Sequence, residues 1–162
     1  MATQSFKISY EEYTALEDLS INDQFLCEKA KEALLSSHSP YSKFKVGTAI
    51  LLADDQIVLG SNQENVAYPS GLCAERVALF TIGANYPNVT IKKMAITAQT
   101  ENFTITTPVT SCGACLQVMA DFEKRQGVPI EVLFYCIDGK IIKVNGVGSL
   151  LPFGFVEDRL KG

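Results

Sequence analysis

The sequence predicts a layered α/β domain with helices on both faces of a mixed β-sheet. Helical patterns alternate with short apolar runs along the chain, and two pairs of these runs flank turn dipeptides, Asp54-Asp55 and Asp138-Gly139. The chain has 162 residues, of which 47% are hydrophobic. This length favours one domain and supplies a core of useful size without disulfide bonds.

The N-terminal part contains two helical patterns. Ser9 and Glu12 have the spacing of a capping box, and the apolar residues that follow them are compatible with a short appended helix. A stronger pattern begins at Asn22 or Asp23, either of which can cap a helix, and Pro40 marks its end. Its apolar stripe consists of Phe25, Leu26, Ala30, Ala33 and Leu34.

The rest of the chain alternates strands and helices. We expect strands at 44–52 and 57–60, a helix at 72–83, a strand at 94–98, a helix from Ser111 to Gly127, and strands at 132–137 and 141–144. Because the last two strands flank an Asp-Gly turn, they are predicted to form an antiparallel hairpin.

Charge and hydropathy exclude several classes of protein. Lys and Arg number 14 against 18 Asp and Glu, a net charge of −4, so there is no large basic surface for a polynucleotide backbone. The longest apolar stretch, 46–53, is far too short to span a bilayer, and the N-terminus lacks the profile of a secretory signal. We therefore expect a soluble, cytoplasmic protein without a membrane or nucleic-acid partner.

Three of the five cysteines have the placement of metal ligands. Cys112 and Cys115 lie three residues apart at the start of a predicted helix, so both sulfurs can face one ion. Cys73 also lies at a predicted helix start, where the helix dipole favours a thiolate. Three thiolates indicate zinc. The weaker candidates for a fourth ligand are Cys27, Cys136 and His38.

A zinc ion with three protein ligands keeps a position for water, whose pKa it lowers toward about 7. Glu75, two residues after Cys73, is placed to accept a proton from that water; alternatively, its carboxylate complements the helix N-terminus. Arg76 lies on the same helix face as Cys73 and can offset the excess negative charge of three thiolates. The alternative for Arg76 is a solvent-exposed helix arginine.

These motifs, in this order, resemble the small cytidine deaminases whose zinc is held by three cysteines. The resemblance covers roughly residues 21 to 160, and the ordered set is highly specific. The matching segments are Ser39-Pro40-Tyr41-Ser42-Lys43-Phe44-Lys45-Val46-Gly47, Asn62-Gln63-Glu64-Asn65, Cys73-Ala74-Glu75-Arg76, Cys112-Gly113-Ala114-Cys115 and Leu150-Leu151-Pro152.

The resemblance implies a three-layer α/β/α fold with a five-stranded mixed sheet at 21–162, after an N-terminal extension at 1–20 that it does not explain. It also implies a homotetramer whose active sites are completed by neighbouring subunits. The implied reaction is hydrolysis of free cytidine and 2′-deoxycytidine to the uridines with release of ammonia, as in pyrimidine salvage. One Zn²⁺ per chain would be held by the three cysteines named above. Glu75 would carry the protons to N3 and to the leaving amine.

The resemblance also assigns residues to substrate binding. Asn62 and Glu64 would bind the ribose hydroxyl, and Phe44 would line the pocket beside the base. Main-chain groups around Ala74 would hold the edge of the pyrimidine. The aromatic residues that resemble those reaching a neighbouring subunit's site are Tyr68 and Phe155.

Two positions depart from the family pattern around the Cys-x-x-Cys pair. Ser111 precedes the pair where the family usually has proline, and Leu116 follows it where the family usually has arginine. Because serine is a good N-cap, we expect Ser111 to cap the helix. Leu116 removes a cation near the sulfurs, which leaves Arg76 as the sole compensating charge.

Other functions remain open at this point. A deaminase of a modified nucleoside such as blasticidin S would use the same site, although the Asn62 and Glu64 motif favours ordinary nucleosides. A polynucleotide-editing deaminase is disfavoured by the acidic balance. A structural zinc site in a binding module needs a fourth protein ligand, and a redox role for Cys112 and Cys115 gives Glu75 no task.

Overall fold

The computed structural model describes residues 1–158 as one six-stranded sheet with helices on both faces. The last four positions of the predicted domain at 21–162 lie outside the described residues. The strands and helices are, in order, β1 (Glu11–Tyr13), α1 (Ile21–Ala33), β2 (Phe44–Leu52), β3 (Ile57–Ser61), α2 (Ala74–Asn85), β4 (Ile91–Thr100), α3 (Gly113–Gln126), β5 (Glu131–Tyr135) and β6 (Ile141–Asn145).

The sheet has the strand order β1-β6-β5-β4-β2-β3. Only β4 and β5 pair in parallel; all other neighbours are antiparallel. The predicted mixed sheet and the β5–β6 hairpin are therefore confirmed. Because β3 and β4 are both antiparallel to β2, they run in the same direction, and the C-terminal ends of both strands lie at the same edge of the sheet. The next helices, α2 and α3, begin at this edge.

Apolar side chains separate the sheet from its helices on each face. On one face α1 packs over β2, β4, β5 and β6, and on the other α2 and α3 cover the larger core cluster. Two glycines allow close contact: a Cβ at Gly47 would lie 2.2 Å from the Ala30 carbonyl oxygen, and one at Gly60 would lie 2.5 Å from that of Ala74. Gly60 thus permits the start of α2 to lie directly on β3.

The N-terminal extension corrects two expectations. The sheet has six strands, not five, because Glu11–Tyr13 pairs with β6 as an edge strand, and the residues following it form only a short 3-10 turn instead of the expected helix. Pairing with the open edge of β6 satisfies backbone groups that a short isolated helix would leave to water. An ion pair at 2.6 Å between Lys140 and Glu12 adds to the pairing.

The N-terminus of α1 also differs from the expectation. Ser20, and neither Asn22 nor Asp23, is the N-cap, and its hydroxyl accepts a hydrogen bond from the Asp23 N–H at 3.2 Å. The Asp23 carboxylate is instead buried against the sheet, where it pairs with Lys93 at 2.6 Å and Lys143 at 2.9 Å. Across residues 1–158, no helix combines the length and the apolar character needed to cross a membrane.

Candidate active site

Three cysteine sulfurs meet where α2 and α3 begin. Cys73 is the N-cap of α2 and Cys112 is the N-cap of α3, and neither side chain caps its own helix. Cys115 lies in the first turn of α3, with its sulfur 3.6 Å from that of Cys112. All three sulfurs lie within 4.8 Å of one another. The common starting edge of the two helices explains why residues distant in sequence converge here.

The electrostatics of this group suit a soft divalent cation. A hydrogen bond from the Cys115 thiol lowers the pKa of Cys73 to about 6; burial opposes this shift, and the Arg76 guanidinium, with Nη2 3.9 Å from the Cys73 sulfur, reinforces it. The same hydrogen bond, together with burial, raises the pKa of Cys115. One proton thus holds two sulfurs together at two helix N-termini, and a thiophilic cation is the species that would replace it.

A fourth protein ligand is absent from this group within residues 1–158, where only Cys73, Cys112 and Cys115 cluster. The sulfur of Cys136 donates a hydrogen bond to the Ile105 carbonyl oxygen, and Cys27 is buried in the α1 layer on the other face of the sheet. A structural zinc site is nearly always closed by four protein ligands. The donor set therefore fits an open metal site.

Glu75 lies in the first turn of α2, two residues after Cys73. Its side chain is buried, with 4% exposure. Among the described residues it has no hydrogen-bond or ion-pair partner, and it lines the same cavity as Cys73 and Cys112. Its carboxylate oxygens reach the cavity and are not among the buried polar atoms without a partner. A carboxylate that faces a cavity without a protein partner is free to meet a partner when substrate or metal is bound.

The cavity beside the sulfurs has a volume of about 670 Å³. Its wall comes from the start of β2, the loop between β3 and α2, and the loop before α3. The lining residues are Tyr41, Ser42, Val46, Asn62, Gln63, Glu64, Asn65, Tyr68, Gly71, Leu72, Cys73, Glu75, Arg76, Ile96, Val109, Thr110 and Cys112.

Glu64 lies in this wall and is held by three donors. Its carboxylate accepts hydrogen bonds from the Tyr41 N–H at 2.9 Å, from the Ser42 N–H at 3.3 Å and from the Ser42 hydroxyl. The bond from the Ser42 hydroxyl is the main cause of a lowered pKa for Glu64. The carboxylate is thus fixed in place and kept ionised.

Asn62 lies beside Glu64 and braces the start of β2. Its Oδ1 accepts hydrogen bonds from the Val46 N–H at 2.8 Å and the Ser37 hydroxyl at 2.5 Å, and its Nδ2 donates to the Phe44 carbonyl oxygen at 2.8 Å. An amide group has two acceptor sites and two N–H donors. One Nδ2 hydrogen of Asn62 therefore remains for another acceptor.

Comparison with known proteins agrees with this arrangement of residues. The family described as the cytidine and deoxycytidylate deaminase zinc-binding region matches residues 20–130. The chain belongs to the cytidine and deoxycytidylate deaminase family. Its matched region spans α1 to α3 and contains all three clustered cysteines, Glu75, Asn62 and Glu64.

Relatives and solved structures in this deaminase family cover most of the chain. The cytidine deaminase of Sporosarcina psychrophila is 42% identical over 135 residues, which are 83% of this chain and 92% of the relative. That of Halalkalibacterium halodurans is 34% identical over 137 residues, 83% of this chain and 95% of the relative. The crystal structure of cytidine deaminase from Burkholderia pseudomallei has a TM-score of 0.70 at 33% identity, covering 85% of this chain and all of that one.

The other predicted substrate residues differ in their relation to the cavity. Tyr68 lines it and is 77% exposed, with its ring edge-on to Tyr41 at a centroid distance of 6.0 Å. Phe44 is half-buried beside Phe103 and is outside the cavity lining. Ala74 is fully buried. Phe155 lies on the outer side of α3, where the Gln117 side chain makes two hydrogen bonds of 2.8 Å with its backbone.

The structure shows the surroundings of the two residues that depart from the deaminase pattern. The expectation that Ser111 caps α3 is wrong, because Cys112 is the N-cap and the buried Ser111 hydroxyl has no hydrogen-bond partner among the described residues. Leu116 is partly buried against the core cluster under α2 and α3. Arg76 is the one cation that lines the cavity as described, and its buried Nε lacks a hydrogen-bond partner there.

Sequence reasoning did not assign several residues of the wall. Tyr41 and Ser42 follow Pro40 in a turn without a regular pattern, and Val109 and Thr110 end the loop before α3. These segments reach the site only because the start of β2 lies beside the end of β4, with Phe44 opposite Thr100. The signals available were that Tyr41 and Ser42 lie within the matching segment that contains Phe44, and that Val109 and Thr110 lie shortly before Cys112.

Proposed function

We propose that this chain is a zinc-dependent hydrolase that converts cytidine and 2′-deoxycytidine, with one water, into the corresponding uridine and ammonia. The observation that carries the proposal is the opening of three clustered sulfurs and a buried, unpaired carboxylate into one cavity. Sulfur ligands supply a metal site with an open position, and the carboxylate supplies a proton carrier. Hydrolytic deamination needs both.

Cys73, Cys112 and Cys115 are the proposed ligands of one Zn²⁺ per chain. When bound, the metal would lower the pKa of water toward neutrality. Three thiolates around a divalent ion leave a net charge of −1, which opposes ionisation of that water. The Arg76 guanidinium, with Nη2 3.9 Å from the Cys73 sulfur, offsets part of this charge.

Glu75 is the proposed proton carrier. Its carboxylate would accept a proton from the attacking water, deliver one to N3 of the cytosine and later help to protonate the departing amine. Because no hydrogen bond within the described residues holds this buried side chain, it is available to each of these groups in turn. A single carboxylate can thus carry the proton traffic without a histidine.

Asn62 and Glu64 form the proposed site for a sugar hydroxyl. A carboxylate offers about four lone-pair positions, and Glu64 uses three of them for Tyr41 and Ser42. The remaining position can accept a hydroxyl proton, while the free Nδ2 hydrogen of Asn62 can donate to the same hydroxyl oxygen. This complementarity supports the assignment made from the resemblance.

The remaining proposed contacts concern the base and the neighbouring subunits. The resemblance assigns the Phe44 ring to a place beside the base, whereas in this structure the ring packs on Phe103 outside the cavity lining. Main-chain groups at Ala74 would hold the pyrimidine edge. Tyr68 and Phe155 are exposed, at 77% and 71%, as expected of rings that contact another subunit. We propose a homotetramer in the cytoplasm, where a reducing environment keeps the five cysteines free as the structure has them.

Two measurements on the purified protein test the proposed function. Metal analysis should give about one zinc per chain, as expected for one three-ligand site, and ammonia should be released from cytidine and 2′-deoxycytidine. Blasticidin S in a parallel assay tests for a deaminase of modified nucleosides. Zinc-loaded protein that is inactive on both ordinary nucleosides would contradict the proposal, and activity on blasticidin S alone would replace its substrate.

A further inference from the structure

The loop at 101–112 connects β4 to α3 without regular secondary structure. This loop is well above the median length of about 4–6 residues for connections in compact domains. Its last part lines the cavity through Val109, Thr110 and Cys112. Its middle is fastened to the β5–β6 turn by a hydrogen bond of 3.2 Å from the Cys136 sulfur to the Ile105 carbonyl oxygen. The loop is therefore held in place beside the site.

The first part of this loop contacts the opposite rim of the cavity. The Asn102 side-chain amide donates a hydrogen bond to the Ser42 carbonyl oxygen at 3.2 Å. The Phe103 ring packs on the Phe44 ring with a centroid distance of 6.3 Å and an interplanar angle of 34°. Phe103 is nevertheless 60% exposed, so burial in the core does not account for its position.

The contacted segment is the turn at 41–44, which provides all three donors to Glu64. Its central residue, Lys43, has a φ of 57°, a left-handed conformation that is uncommon outside glycine. Such a conformation persists only where its surroundings hold it. Asn102 and Phe103 contact the residues on either side of Lys43, Ser42 and Phe44, and so hold both ends of the strained position.

We propose that Asn102 and Phe103 are positioning residues for the sugar end of the substrate. They fix the turn at 41–44, and the turn fixes the Glu64 carboxylate through the Tyr41 and Ser42 donors. This inference rests on the proposed function, because it assigns Glu64 to a substrate hydroxyl. It adds a part of the loop at 101–112 to the determinants of substrate affinity.

The test is a double-mutant cycle on KM for cytidine. Phe103→Ala should raise KM by about threefold to tenfold, the loss expected when hydrogen bonds to a charged group lose their geometry, with kcat nearly unchanged. In a Glu64→Gln background the same substitution should have little further effect, because its influence passes through Glu64. Phe103→Tyr, which keeps the ring, should restore the wild-type KM. Phe25→Ala is the matched control, a substitution of similar exposure (56%) on the outer side of α1.

Three results would overturn the inference. These are an unchanged KM in Phe103→Ala, an equal rise in KM in both backgrounds, and a fall in kcat without a change in KM. Thermal melting and zinc content show that each variant is folded and loaded. Active wild-type protein with an unaffected Phe103→Ala variant would reject this inference alone. Wild-type protein that releases no ammonia from cytidine would reject the proposed function and this inference together.

Discussion

At the scale of single residues, the two carboxylates of the cavity have opposite environments. Glu64 accepts three hydrogen bonds, which lower its pKa and fix it as an acceptor. Glu75 is buried and has no hydrogen-bond partner among the described residues. Different environments give two carboxylates of one site different roles. This difference supports the proposal that Glu64 binds the substrate and that Glu75 carries protons.

The surroundings of the cysteines likewise separate the proposed metal ligands from the other buried thiols. Cys115→Ser should lose the metal and with it the turnover of cytidine, because a neutral hydroxyl is a poor substitute for a thiolate on zinc. Cys136→Ser is the matched control, since Cys136 is also buried but its sulfur donates to the Ile105 carbonyl oxygen, which a hydroxyl can also do. Metal analysis of both variants checks this. Retention of zinc by Cys115→Ser would remove Cys115 from the proposed ligands.

At the scale of the elements, the site depends on how the sheet directs its helices. β3 and β4 run in the same direction, so α2 and α3 begin at one edge and bring Cys73 to Cys112. Gly60 contributes by letting the start of α2 approach β3. Neither feature is itself catalytic. Both explain why short motifs that are scattered along the chain form one compact site.

A buried ion network holds α1 on the opposite face of the sheet. Asp23 pairs with Lys93 and Lys143, which also pair with Glu131 at 2.7 Å and 3.2 Å. Asp23→Asn should lower the free energy of unfolding by about 3 kcal/mol, the low end for losing one partner of a buried pair, because Glu131 still neutralises the lysines. Asp121→Asn, which breaks an exposed pair with Arg125, should cost less than about 0.5 kcal/mol. Urea unfolding measures both.

The same network gives a pH dependence of stability. Burial opposes ionisation of Asp23, but the hydrogen bonds from Lys93 and Lys143 outweigh it, so the pKa of Asp23 is lowered. Its contribution is therefore complete above the unfolded value of about 3.9 and is lost as pH falls through the folded value. The difference in stability between wild type and Asp23→Asn should shrink below about pH 4. A difference that stays constant down to acid unfolding would contradict this account.

The elements that were predicted correctly are those whose sequence patterns extend over several consecutive residues. The patterns at 44–52, 57–60 and 141–144 predicted strands that the structure has within about a residue. The edge strand β1 was missed because three residues carry no periodicity, and its formation depends on the distant edge of β6. The expected cap at Asn22 or Asp23 was wrong for a similar reason, because the Asp23 carboxylate forms ion pairs with Lys93 and Lys143 on two distant strands.

The residues of the candidate site also separate into those that sequence motifs predicted and those that they did not. Residues in recognisable motifs, including Cys73, Glu75 and Glu64, lie together at the cavity. Tyr41, which donates to Glu64, was not assigned because a turn has no period, and only folding brings it opposite the loop after β3. Motifs thus predict the chemistry of a site better than the wall that encloses it.

At the scale of the whole molecule, charge limits the kind of substrate that the cavity can bind. The chain carries a net charge of −4, and the charged residues that line the cavity are Glu64, Glu75 and Arg76. Arg76 is directed at the Cys73 sulfur, which leaves no other cation in the described wall to bind a phosphate. The family includes deaminases of deoxycytidylate, so this feature distinguishes between substrates within it.

Free nucleosides should therefore be preferred to nucleotides. The kcat/KM for 2′-deoxycytidine should exceed that for its 5′-monophosphate by about a hundredfold or more, since a phosphate beside carboxylates is repelled and poorly compensated. Ammonia release from the two substrates at matched concentrations measures this ratio. Equal values, or a preference for the monophosphate, would show that the cavity recognises phosphate in a way that Glu64 and Arg76 do not explain.

We propose above all that Glu75 carries protons at a metal site held by the three cysteines. The most direct test is Glu75→Gln, which keeps the shape of the side chain, with the exposed Glu28→Gln as control. Zinc content and ammonia release from cytidine are measured on the same samples. We expect Glu75→Gln to keep wild-type zinc and to lose kcat by about 10²-fold to 10⁴-fold, and Glu28→Gln to keep both zinc and kcat. A zinc-loaded Glu75→Gln variant with wild-type kcat would contradict the proposal.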